Sequence, residues 1–138
     1  MDRDAPAMVR QRDPEYRMAA IVSVVIPTLN VARTLGPTLD VLTSQGTGLV
    51  KEVVIADGGS DDETLSIAHA YGCRVVHASK GRGTQLRHGA TVATEDWLLF
   101  LHADTRMTAD WTKAVSDFVA RPDAEELAAV FQFRLDDN

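Results

Sequence analysis

Cysteine is nearly missing from this chain of 138 residues: Cys73 stands alone, so no internal disulfide can form and a disulfide scaffold is excluded. Flanked by Gly72 and the apolar pair Val75-Val76, it reads as a small buried hydrophobe rather than a reactive thiol, in keeping with a reducing, cytoplasmic setting. Long apolar runs are missing too. None is longer than Trp97 to Leu101, far short of a bilayer span. The first twenty residues carry four acids and four arginines around no apolar core, which is neither a secretory signal nor a membrane anchor. Contact with a membrane would therefore be peripheral. Basic charge is in deficit, with 14 Lys and Arg against 20 Asp and Glu and a net charge of -6. Such a chain has no general attraction for a phosphate backbone, so nucleic acid is not an expected partner. What remains is ordinary: 45% hydrophobic and 25% charged residues, enough for one domain with a buried core.

Residues 1 to 19 read as a mobile polar arm, and residues 20–138 as the folded domain. From Ile21 onward, short β-branched runs alternate with helical spacing. Ile21 to Ile26, Glu52 to Ala56, Arg74 to His77 and Trp97 to Leu101 suit strands buried on both faces, as in a parallel sheet. Asn30 is placed to cap a helix carrying Leu35, Leu39 and Leu42, with Pro37 near its first turns and Gly46 at its end. A second helix starts at Asp61 or Asp62 and stops at Gly72; a third follows Lys80-Gly81-Arg82-Gly83 and runs to about Ala93; a fourth begins near Ala109 with Trp111, Val115, Phe118 and Val119 on one face. Residues 129–135 alternate like a strand with one solvated side. This order predicts an α/β domain with a mainly parallel sheet.

In such a sheet, ligands bind beyond the carboxyl ends of the strands. Four polar clusters fall there: Pro27-Thr28-Leu29-Asn30, Asp57-Gly58-Gly59-Ser60, Lys80 to Gly83, and His102-Ala103-Asp104. Asp57 leaves a buried strand for two glycines, where its carboxylate can either meet a ligand's N–H or hydroxyl groups or bond the N–H groups of its own turn. His102 and Asp104, two residues apart, can face the same way if the chain stays extended, a pairing that suits Mn²⁺; a carboxylate alone suits Mg²⁺ held mostly by substrate phosphates. Equally, Asp104 could cap the helix that follows. Lys80, Arg82 and Arg87 surround a Gly-x-Gly turn at a helix start, where an anion is favoured, or else form a solvated basic loop. No Gly-Lys-Ser/Thr phosphate loop, G-x-G-x-x-G, G-x-S-x-G or His-Glu-x-x-His is present.

In this order and spacing, Ser23-Val-Val-Ile-Pro-Thr-Leu-Asn30, Val54-Ile-Ala-Asp-Gly-Gly-Ser-Asp-Asp-Glu-Thr64 and Leu99-Phe-Leu-His-Ala-Asp-Thr105 resemble family 2 glycosyltransferases over about residues 21 to 135. Gly81-Arg82-Gly83-Thr84-Gln85 with Gly89-Ala90 is similar to a subgroup with His-Ala-Asp where most relatives have Asp-x-Asp. The resemblance implies a GT-A, Rossmann-like fold that binds a nucleotide-diphosphate sugar, with an acceptor half cut short here. It places Pro27, Thr28 and Asn30 in the nucleotide pocket, Asp57 and Gly58 at the base or ribose, and Arg82 and Gln85 near the diphosphate and sugar. His102, Ala103 and Asp104 would lie at a divalent cation, Mn²⁺ or Mg²⁺, with Asp104 and His102 as ligands. The acceptor implied is a saccharide or a lipid-linked molecule, in envelope or polysaccharide synthesis. Arg87 stands where the family commonly has Asn, and the family's general base, a later carboxylate, would fall past Asn138. The alternative reading is therefore a truncated, non-catalytic nucleotide-binding or interaction module.

Overall fold

A computed structural model of the chain describes residues 21–124. The polar arm over 1 to 19 and the strand expected over 129–135 lie outside the described residues. Strands β1 (Val22–Thr28), β2 (Val50–Asp57), β3 (Arg74–His77) and β4 (Trp97–Phe100) alternate with helices α1 (Ala32–Gln45), α2 (Thr64–Ala70), α3 (Arg82–Val92) and α4 (Trp111–Val119). All the described strand pairs are parallel, and their order is β3-β2-β1-β4.

That order fixes where the helices go. The chain steps from β1 to β2 to β3 in one direction, then crosses back over β1 to reach β4. Parallel crossovers are right-handed, so reversing the direction moves the connecting helix to the opposite face of the sheet. Successive strand residues face opposite ways, and the core divides accordingly. Val22, Val24 and Ile26 of β1 and Val53 and Ile55 of β2 pack with Leu35, Leu39 and Leu42 of α1, Ala68 of α2, and Trp111 and Val115 of α4. On the other face Gly89 brings the α3 backbone against β1 and β2. A Cβ at Gly89 would stand 2.4 Å from Val25 Cγ1 and 3.5 Å from the Ala56 Cβ.

Helix α1 contains Gly36 and Pro37, which together cost about 4 kcal/mol relative to alanine. Its three leucines, each at most 1% exposed, offset this at about 2 kcal/mol apiece. Burial, not propensity, holds this helix. The structure corrects two expectations here. Pro37 lies well inside the helix, where its exposed position leaves the unbonded carbonyl one turn back open to water. Val31, not Asn30, occupies the cap position. The stops agree with the sequence: the Gly46 N–H bonds the Leu42 carbonyl at 3.0 Å, and Gly72 (φ +74°) ends α2 with its N–H on His69.

The end of the sheet away from the polar clusters is stitched by Glu52. Its carboxylate accepts the Ser23 hydroxyl at 2.7 Å and both the N–H and hydroxyl of Thr94, while Ser23 in turn accepts the Glu95 N–H at 3.1 Å. These bonds tie β1, β2 and the entry to β4 together at that end.

Candidate functional site

The order β3-β2-β1-β4 reverses between β1 and β4: the chain leaves β1 toward β2 and later returns to the other side of β1, the place where open parallel sheets leave a crevice for ligands. Pro27 marks its mouth. The last bond from β4 to β1 is the Leu101 N–H on the Val25 carbonyl, at 3.1 Å, and by the alternation of a parallel ladder the next donor toward β4 would come from residue 27. Proline has none, so an internal strand tolerates it at the point where its neighbour departs.

On the β1–β2 wall a buried network replaces loose loops. Asp57 is fully buried, and its four hydrogen bonds fill the carboxylate. Oδ1 accepts the hydroxyls of Thr28 at 2.7 Å and Ser60 at 2.6 Å; Oδ2 accepts the N–H groups of Gly59 at 3.0 Å and Ser60 at 2.8 Å. Burial alone would raise its pKa, but the bonds from Ser60, Thr28 and Gly59 together outweigh it and hold the group below the usual carboxylate range. Of the two roles open to Asp57, this geometry is that of the turn acceptor.

Ser60 passes the network on by accepting the Asn30 N–H at 2.9 Å. Asn30 adopts φ +52°, a left-handed conformation that asparagine tolerates, and its Oδ1 accepts the N–H groups of Asp61 at 2.8 Å and Asp62 at 3.3 Å. Asn30 thus serves the start of α2 rather than the start of α1. In return Asp62 accepts the Ala32 N–H at 3.2 Å, and Thr64 accepts that of Val31 at 2.9 Å, so residues across the β2 turn cap α1. Asp62 also accepts the Thr64 N–H and hydroxyl at the start of α2, although Glu63, not the expected Asp61 or Asp62, occupies its cap position.

The β3–α3 turn joins the same wall. Gly81 takes φ +143°, open to glycine alone without strain, and one turn later Gln85 points inward at 5% exposure. Its Nε2 donates to the carbonyls of Thr28 and Ala56, both at 2.8 Å, and its Oε1 accepts the Gly81 N–H at 3.1 Å. The carboxamide lies flat on Gly58, where a Cβ would meet three of its atoms at 3.1 Å. Arg82, Lys80 and Arg87 are exposed, with Arg82 in the first turn of α3.

On the β4 wall the chain does not stay extended through His102 and Asp104, as their alternation had suggested. It turns: the Thr105 N–H bonds the His102 carbonyl at 3.1 Å, and the Thr105 hydroxyl accepts the His102 N–H at 3.0 Å. His102 and Asp104 are both exposed, and Ala103 between them is buried. Thr38 of α1 holds this turn by donating to the Ala103 carbonyl at 2.7 Å. The sequence reading missed Thr38, because a threonine on a buried helix face carries no mark of a partner 65 residues away. Among the described residues no group of three or more His, Cys, Asp or Glu is placed to hold a metal ion by itself.

A parallel α/β sheet with these loops at its switch point is the architecture of GT-A, Rossmann-like glycosyltransferases. The model of glycosyl transferase family 2 matches residues 23–137, and the chain belongs to that family. A PGL/p-HBAD biosynthesis glycosyltransferase of Mycobacterium bovis is 37% identical over 117 residues, covering 79% of this chain and 45% of the relative. A glucosyl-3-phosphoglycerate synthase of Mycolicibacterium smegmatis is 34% identical over 92 residues, covering 60% of this chain and 30% of its own length. Among solved structures, glucosyl-3-phosphoglycerate synthase from Mycobacterium tuberculosis in complex with Mn²⁺, UDP and glucosyl-3-phosphoglycerate superposes with a TM-score of 0.58 at 28% identity, over 67% of this chain and 37% of that one. The chain spans less than half the length of these relatives. No helix among the described residues is long and apolar enough to cross a membrane.

Proposed function

We propose that this chain forms the donor-binding part of a glycosyltransferase, binding a nucleotide-diphosphate sugar with a divalent cation and delivering the sugar to a saccharide or lipid-linked acceptor. The observation that carries this reading is the reversal of strand order between β1 and β4, with the hydrogen-bonded loops of β1 and β2 on one side and the exposed Asp104 on the other. Pro27, Thr28 and Asn30 would shape the nucleotide side. Asp57 would act through the turn it holds, with Gly59, left open beside the Gly58 that the Gln85 amide covers, giving a flat base access to the backbone. Arg82 would bring positive charge to the diphosphate at the start of α3.

The donor chemistry on the β4 wall fits Mn²⁺ or Mg²⁺. Asp104 offers an exposed carboxylate two residues from the exposed imidazole of His102; with no hydrogen bond to Asp104 and no third side chain to help among the described residues, the diphosphate oxygens would supply most of the coordination. Bound there, such a cation neutralises the charge that develops on the departing nucleoside diphosphate. We read His102-Ala103-Asp104 as standing in place of the Asp-x-Asp of most relatives.

Calorimetry with UDP-, GDP- and TDP-sugars in the presence of Mn²⁺ tests this. Binding should appear at or below millimolar ligand and weaken about tenfold in Asp104→Asn, the loss expected from about 1.4 kcal/mol of cation contact. No binding of any donor by the wild-type chain overturns the reading. Donor binding without metal-dependent product formation, across saccharide and lipid-linked acceptors, would favour a non-catalytic module.

A further inference from the structure

We propose that Gln85 is a positioning residue: one carboxamide locks the ends of β1 and β2 and the β3–α3 turn into a single rigid wall. This rests on the donor-binding reading for its purpose, but its geometry stands apart from it. All three connections leave the same edge of the sheet, and no other described side chain bonds to all of them. The β1 and β2 turns are already joined through Asp57, Ser60, Asn30, Asp62 and Thr64. The Ala78 N–H, on the Asp57 carbonyl at 2.9 Å, ties the start of the β3–α3 connection to β2, but nothing in that network reaches Gly81 itself. Gln85 supplies the missing connection, with its two N–H bonds spent on the carbonyls of Thr28 and Ala56 and its oxygen on Gly81. The Thr28 carbonyl also accepts the Gly58 N–H at 2.9 Å, so the amide sits at the last rung shared by the two strands.

Two features show that the arrangement is specific to an amide. The carboxamide must present donors to two carbonyls and an acceptor to an N–H, which settles its orientation without ambiguity. Glycine at 58 is equally required, since any side chain there would displace the amide. A residue committed in this way has no N–H left for a ligand. Gln85 therefore acts on a donor only by fixing Arg82 and Gly83, which open the same helix.

The discriminating variant is Gln85→Glu, which keeps the shape and removes both donors. As a carboxylate it would set an oxygen against two carbonyls; once protonated it regains one donor. Amide exchange read by NMR at pH 8 should show the protection of Gly81 and Gly58 falling about tenfold relative to wild type at the same pH, one hydrogen bond's worth. At pH 5.5 most of that protection should return. Asp57, the buried carboxyl of the same wall, is held below the usual carboxylate range and so stays ionised across this window. Gln85→Met, similar in volume and without either group, should lose the protection at both pH values. Donor affinity should follow the same pattern. Unchanged Gly81 protection in both variants overturns the clamp. Loss of protection with donor affinity intact overturns the positioning role. Wild-type protein that binds no donor overturns the functional reading, while the exchange result still decides the clamp.

Discussion

On the β1–β2 side of the crevice, Thr28, Asn30, Asp57, Ser60, Asp62, Thr64 and Gln85 are all hydrogen-bonded within the protein, and Thr28, Asp57, Thr64 and Gln85 are buried. On the β4 side, His102 and Asp104 are exposed, and the side chains that secure their turn are those of Thr38 and Thr105. The first wall meets its hydrogen-bonding demand before any ligand arrives. The second leaves its charge unspent. A preformed wall lowers the ordering cost of binding, and an unspent carboxylate is what a cation needs. In the proposed reading the two sides divide the work: one gives shape, the other gives charge.

Substitutions should therefore separate stability from binding. The largest effect is expected at Asp57→Asn, where an amide must oppose one of its N–H groups to donors that now meet a carboxylate oxygen. Stability should fall by about 3 kcal/mol, read as a drop in the urea midpoint. The wild type should hold constant stability above the usual carboxylate range and lose it as pH falls below that range. Asp57, Glu52 and Asp62 are all held low in the fold, so the unfolded chain takes up protons first. In Asp57→Asn that acid limb should be shallower.

A smaller loss is expected at Gly89→Ala. The methyl group would meet Val25 Cγ1 at 2.4 Å inside the sheet, an overpacking cost of about 1–3 kcal/mol that exceeds the gain of about 1 kcal/mol in helix propensity. A lowered melting temperature with retained helix content would confirm it. The smallest effect belongs to the other wall. Asp104→Asn should change stability by less than about 0.5 kcal/mol, although it is expected to weaken donor binding about tenfold. If Asp104→Asn instead unfolds the protein, the division between the walls fails.

Most of the framework could be read locally. β-branched runs, buried leucines at helical spacing and the stops at Gly46 and Gly72 are signals carried by neighbours in the chain, and they placed the eight described elements closely. Their convergence on one sheet edge followed from parallel pairing. What escaped the sequence is non-local. An asparagine ahead of a helix looks like its cap, yet the N–H groups that claim Asn30 are 31 and 32 residues away. The family resemblance sets Gln85, with Arg82, near the diphosphate and sugar. Only the close approach of α3 to Gly58 shows that the amide is turned inward. The alternation of His102 and Asp104 gave way to a turn because the Thr105 hydroxyl captures the His102 N–H.

Pro27 has a consequence for the width of the crevice. Two parallel strands with free donors and acceptors tend to zip until a partner runs out, and a β4 loop that slid onto β1 would fill the space proposed for a ligand. An imino acid at the first rung past Val25 removes the donor that further zipping would use. The gap between the walls is thereby kept open by a bond that cannot be made, and its opening does not depend on anything bound inside it.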